Sequence, residues 1–282
     1  MTPLSRLDKS AIALLIGSGL LHLLLWRLGT EPWESPISFR KPALFGISTG
    51  LTLWSCLWVL RQLPGSRLAT SLGRLLTGTL LLEVALITLQ TWRGVPSHFN
   101  RSTPTDAAIE TTLLVLISIA TLIIFWLTVV SLQPKSLEGL PAQQRLAVRA
   151  GLMLLSLSCL LGFIITSVGN QLIAAGLAPE TYPQRGVLKF PHGAALHAIQ
   201  TLVVLAWMSA RISSRLPSAV IWTATLAHLS GLSFALLQTF RGKARFELDL
   251  PGSLLLALTI LLLASSVGLL VWRRKPPAQV TL

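Results

Sequence analysis

AIETTLLVLISIATLIIFWLTVVSL, residues 108–132, carries a single charged side chain, Glu110, near its start. About 20 apolar residues in a helix cross the roughly 30 Å of hydrocarbon in a bilayer. A barrel strand would instead alternate polar and apolar positions over about ten residues, and this run does not alternate. It reads as a transmembrane helix. Seven further windows of the same kind occur at 11–28, 43–63, 70–92, 148–172, 192–211, 217–240 and 252–272. The chain is 52% hydrophobic and 12% charged, and the apolar residues lie in these blocks. The expected fold is therefore an all-α integral membrane protein of eight transmembrane helices.

The basic leader MTPLSRLDKS precedes the first window, but no small-x-small cleavage site follows, so that window is kept as a span rather than a secretory signal. Cys56 and Cys159 each fall inside a span, where a thiol is a small apolar group, and their spacing predicts neither a disulfide framework nor a metal site.

The net charge of +13 invites a nucleic-acid reading until it is distributed over the loops. Counted from the amino terminus, the side holding both termini carries 13 basic residues, among them Arg273, Arg274 and Lys275, against Asp8 and Glu138. The opposite side carries 10 basic residues against Glu31, Glu34, Asp106, Glu110, Glu180, Glu247 and Asp249. The Lys and Arg asymmetry predicts cytoplasmic termini in a bacterial inner membrane. The basic excess suits anionic lipid rather than nucleic acid.

LQTWRG at 89–94 returns as LQTFRG at 237–242, 148 positions on. At the same offset Ser66-Arg67-Leu68 falls on Ser214-Arg215-Leu216, Lys41 on Lys189 and His22 on Asn170. A fixed offset over most of the chain is the mark of duplication, here of residues 1–140 and 141–282. Four spans per half make the two repeats parallel, related by an axis along the membrane normal. Each hexamer is expected to end a helix: Arg93 or Arg241 complements the negative end of the helix dipole, and the glycine takes the left-handed position. Gln90 and Gln238 lie one turn further in, where an amide needs partners.

Polar residues that break the repeat are the candidates for chemistry. Glu83 falls inside span three, where an ionisable group is a functional-site hypothesis, and its counterpart is Gly231. His228 on span seven is at a similar depth, so a Glu83–His228 contact and a proton or ion path are expected. Four of the five histidines, His22, His98, His192 and His197, fall toward one membrane face. Pro191 suits the first turn of span six, and His197 and Gln200 then share a helix face. His192 and His197, five apart on one helix, point about 140° apart and cannot both be axial ligands of one haem. These residues with Gln90 outline a polar pocket in the outer leaflet. His98, His192 and His197 are its candidate metal ligands. GISTG at 46–50 fits the nucleophile-elbow pattern but lacks the preceding strand, and is better read as a Gly-x-x-x-Gly packing face.

RGVPSHFNRSTPTDA at 93–107 and PHGAALHAIQ at 191–200 resemble a group of bacterial multi-pass membrane proteins that share R-G-x-x-S-H-F-N, T-P-x-D-A and P-H-x-x-x-x-H-x-x-Q. That group has Phe where this chain has Thr105. The resemblance implies a site at Arg93, Ser97, His98, Asn100, Asp106, His192, His197 and Gln200, and implies no particular reaction.

The leading functional expectation is a redox protein that binds haem, a metal ion or quinone in this pocket and serves a redox partner. The alternative is a small-solute or proton-coupled transporter using Glu83 and His228. A non-catalytic assembly or sensor component is the third.

Overall fold

The computed structural model describes residues 4–30, 32–33, 35, 37–64, 67–177, 179, 186, 188–212 and 214–272. Among the sequence features above, Glu31, Glu34, Glu180, Arg273 to Lys275, and Ser66 of the repeat lie outside the described residues.

The described chain is helical: α1 (Arg6–Leu28), α2 (Arg40–Leu60), α3 (Arg67–Trp92), α4 (Pro104–Leu132), α5 (Ala142–Ala174), α6 (Lys189–Leu196), α7 (Ala198–Arg211), α8 (Pro217–Phe240) and α9 (Leu250–Val271). Eight segments are long and apolar enough to cross a membrane, α6 and α7 together forming one of them. The fold is that of a multi-pass α-helical membrane protein. Hydropathy places the part of each helix that lies in lipid, whereas capping places its ends, so α4 starts earlier than its apolar window. Thr103 caps α4 by accepting from the Asp106 N–H, with Pro104 at the first turn. Ser5 and Asp8 form a reciprocal capping box at α1.

Consecutive helices are neighbours, and α4 meets α5 where the two halves join. Asp8 of α1 pairs with Arg61 beyond α2, and the Arg215 N–H bonds the Trp272 carbonyl at 3.0 Å, so these loops share the end of the bundle that holds the termini. The opposite, distal end carries the α3–α4 and α8–α9 loops. Outward positions such as Leu122, Leu261 and Ile260 are 58–67% exposed, which suits lipid rather than water.

With hydrocarbon outside, burial of apolar surface does not drive helix association; close packing does. A Cβ on Gly46 would lie 2.7 Å from the Leu15 carbonyl oxygen and 2.8 Å from Gly19 Cα, so α1 and α2 touch backbone to backbone. The Gly46-x-x-x-Gly50 packing reading is correct, and its partner is α1.

One element departs from expectation. Span six is not a continuous helix: it breaks at His197 (φ −99°, ψ 11°), which ends α6 and begins α7. Helical-wheel angles across 192–197 therefore do not apply. His192 faces α5 and His197 faces α2.

Candidate functional site

The LQTxRG echo is a pair of identical helix endings. After α3, the Val95 N–H bonds the Gln90 carbonyl (3.1 Å) and the Gly94 N–H that of Thr91 (3.0 Å). After α8, the Lys243 N–H bonds the Gln238 carbonyl (2.9 Å) and the Gly242 N–H that of Thr239 (3.1 Å). Gly94 and Gly242 have φ of 70° and 62°. This is the Schellman arrangement, and glycine is needed at the left-handed position.

Each ending is tied to the next helix through its arginine. Arg93 donates to Asp106 Oδ1 (2.8 Å) and to Gln90 Oε1, while Gln90 Nε2 donates to the same Asp106 oxygen (3.0 Å) and Thr103 Oγ1 to the other (2.7 Å). Arg241 and Lys243 both donate to Asp249 at 2.6 Å. The Lys243 contact leads in holding the Asp249 carboxyl at about 2, helped by the Gly252 N–H. Gln238 is fully buried and donates to the Glu247 carbonyl at 2.9 Å.

These bonds correct the expected pocket. Gln90 has both ends of its amide engaged in the α3–α4 clamp and does not line a pocket with the histidines. His22 is likewise committed: Nδ1 donates to the Ser18 carbonyl (2.7 Å), and Nε2 accepts from Trp92 Nε1 (3.0 Å). Nor do Glu83 and His228 meet. The His228 ring contacts Thr201 Oγ1 at 2.8 Å and bonds the Ala194 carbonyl, which belongs to the turn before the break in span six. It clips α6 to α7 from α8. Glu83 is 4% exposed and has no side-chain partner among the described residues. Cys159 is within its electrostatic reach.

What does converge is a seam along one face of α2. Lys41, Phe45, Ser48 and Thr52 are spaced i, i+4, i+7 and i+11, and so line up along the helix. Lys41 Nζ donates to His98 Nδ1 at 3.2 Å, and Phe45 stacks at 6.1 Å from the same ring. Further in, Ser48 Oγ lies 3.2 Å from His197 Nε2, and Gln200 Nε2 reaches Thr52 Oγ1 at 3.4 Å. The Gln200 Oε1 atom is buried without a well-formed hydrogen bond, its one nearby donor being the His197 ring at marginal geometry. His98, His197 and Gln200 are thus brought to one helix, while His192 turns to α5. There His192 Nδ1 donates to the Ser158 carbonyl (2.8 Å), and the Ser158 hydroxyl returns a bond to the His192 carbonyl (2.9 Å).

The α3–α4 loop that delivers His98 is held rigidly. Phe99 takes a positive φ of 60°, its N–H bonds Glu110 (3.1 Å), and its ring lies where a Cβ on Gly169 would come within 2.5 Å. Ser97 Oγ is 3.0 Å from His98 Nδ1. Burial, with Lys41 and then Lys189, holds the His98 pKa well below the usual imidazole range, so the ring is neutral.

Among the described residues, no three His, Cys, Asp or Glu side chains stand close enough to share a metal ion. The expected set of His98, His192 and His197 is divided between α2 and α5, and an ammonium beside His98 repels a cation. Sequence reasoning passed over Ser48 and Thr52, whose i, i+4 register within α2 was the available signal.

No protein-family model matches this chain, and no curated protein or solved structure is significantly similar to it. The chain is defined by its own architecture, a multi-pass helical membrane protein with a polar seam between α2 and α6–α7.

Proposed function

We propose that the protein resides in a bacterial inner membrane with cytoplasmic termini, and that its seam binds the head group of a quinone or quinol in the outer leaflet, serving a redox partner. The buried Gln200 Oε1, met only marginally by the His197 ring, carries this reading. A buried acceptor in hydrocarbon costs free energy until a donor reaches it, and a quinol hydroxyl is such a donor. Ser48, Thr52 and His197 flank it with groups that exchange donor and acceptor roles between the two oxidation states. The same seam supports two parallel four-helix repeats: Thr52 and Gln200 are 148 positions apart and touch, as equivalent residues do on a two-fold axis.

Protein purified in mild detergent should carry extractable quinone. Gln200→Leu and His197→Ala should each lower its occupancy about tenfold at fixed quinone concentration, the worth of one or two buried hydrogen bonds. A quinone-free preparation that binds none on addition overturns the reading, and a haem band in its absorption spectrum would redirect it to His192, whose Nε2 has no hydrogen-bond partner among the described residues.

Glu83 favours a second reading, proton-coupled transport. A carboxyl so deeply buried without a partner is suited to carrying a proton. Glu83→Gln should abolish proton-driven uptake in vesicles, and unchanged uptake excludes it.

A further inference from the structure

We infer that Glu83 anchors a monovalent metal cation inside the bundle, together with the hydroxyl groups of Thr79 and Thr121. The inference uses none of the side chains of the quinone reading. It also goes beyond the transport reading, which asks only that Glu83 take up a proton.

The helices around Glu83 form a closed ring. α2 packs on α3, α3 on α4, α4 on α5 and α5 on α7, and α7 returns to α2. α2 also meets α4 within this ring, so the interior is narrow and suits a single ion rather than an organic solute. Glu83 faces that interior: it is 4% exposed, and the Cys159 thiol, two helices further round on α5, is within its electrostatic reach. Thr79, also buried, lies one turn before Glu83 on the same face of α3. Thr121 of α4 is buried with its hydroxyl bonded to the Cys159 thiol.

Neither charge state of Glu83 is satisfied by the protein alone. An ionised carboxylate away from water needs a positive partner, and no Lys or Arg among the described residues is near enough to be one. A neutral carboxyl carries an O–H that needs an acceptor, and Glu83 makes no side-chain hydrogen bond among the described residues. Thr79 Oγ1 likewise has no hydrogen-bond partner there. A bound cation answers all three: it balances the carboxylate and draws on hydroxyl lone pairs, the oxygen donors that hard cations take. One carboxylate balances one positive charge, whereas a divalent ion would leave a net charge buried.

The other ionisable groups of the neighbouring helices do not compete. Asp106 and Glu110 of α4 pair with Arg93 and Arg101, Asp8 of α1 pairs with Arg61, and His22 is committed to Trp92. The titratable groups left to the ring are Cys159 and the fully buried Cys56, which is within reach of Cys159. At the 148-residue offset Thr79, Glu83 and Thr121 fall on Ala227, Gly231 and Leu269, so the oxygen donors belong to one half of the chain and are no part of a repeated scaffold.

The test reads the proton on Glu83 against added salt. Dicyclohexylcarbodiimide, an apolar reagent, modifies a neutral carboxyl and not a carboxylate, so a cation that holds Glu83 ionised protects it. The full chain in neutral detergent is treated at pH 7 in sodium, potassium or choline chloride at equal ionic strength, and modification of Glu83 is followed by peptide mass spectrometry. Modification should be about tenfold slower in sodium or potassium than in choline, and more metal ion should be needed for protection as pH falls. Thr79→Val and Thr121→Val keep the side-chain shape, and each should raise the protecting concentration about tenfold without changing the rate in choline. Equal modification in all three salts overturns the inference and leaves Glu83 a site for a proton alone. If Glu83 is modified in none of them, the thermal midpoint decides: a rise in the metal salts over choline that Glu83→Gln abolishes supports the site, and no rise overturns it. Gln200→Leu should keep the protection, and absent proton-driven uptake with protection intact removes the transport reading alone, so the three readings fail separately.

Discussion

His98 shows how a side chain's surroundings set its role. A neutral imidazole, enclosed beside two lysines, is a hydrogen-bonding group rather than a base across the physiological range. Its folded pKa is depressed, so the unfolded chain binds a proton that the native ring refuses. The associated stability is complete above about pH 6.5, the unfolded value, and is lost as pH falls below it toward the lower native value. Thermal midpoints of wild type and His98→Gln should differ most at pH 8 and least at pH 4.5, with the wild type falling more steeply below about 6.5. Parallel curves would contradict a neutral, enclosed ring. Gln90 teaches the converse point: at 1% exposure an amide in a span demands partners, and its partners are Arg93 one turn on and Asp106 at the start of α4.

At the scale of elements, the interrupted span is the feature that positions the seam. Breaking the helix at His197 leaves the Ala194 carbonyl to be covered by His228, since lipid cannot satisfy it, while the His197 carbonyl keeps its bond from the Thr201 N–H at 3.3 Å and also accepts from Thr201 Oγ1 at 3.0 Å. His228→Leu should therefore cost about 1–3 kcal/mol, the penalty for stranding a buried acceptor. Hydrogen exchange should show it as loss of protection confined to residues 194–201 and the facing turn of α8. Protection that stays unchanged would mean the break does not rely on His228. The close α1–α2 contact at Gly19 and Gly46 is the complementary device, fixing α2 so that its polar face meets the broken span and not the lipid.

For the whole molecule, the arrangement predicts that α2 and α7 face each other across the seam. Gln200 Nε2 is 3.4 Å from Thr52 Oγ1, so cysteines at both positions should cross-link within one chain. With a protease site placed in the loop at 133–141, the oxidised double variant should remain one band on a gel and separate into two on reduction. Separation without reductant would mean that α2 and α7 do not face each other.

The chain's own letters were enough to establish eight apolar spans, because transfer to hydrocarbon is a property of composition over about 20 residues and needs no knowledge of neighbours. The twin helix endings were legible for a similar reason: a Schellman turn is closed by residues within six positions of one another. Which polar groups face each other was decided only by tertiary packing. Ser48 and His197 lie 149 residues apart, and His228, expected to meet Glu83, bonds Thr201 and Ala194 instead. The break at His197 was equally hidden, since its stabilising contacts come partly from another helix. Hydropathy records how deep a residue lies; the glycine contacts and side-chain clamps record which way it faces, and the seam exists only through the second.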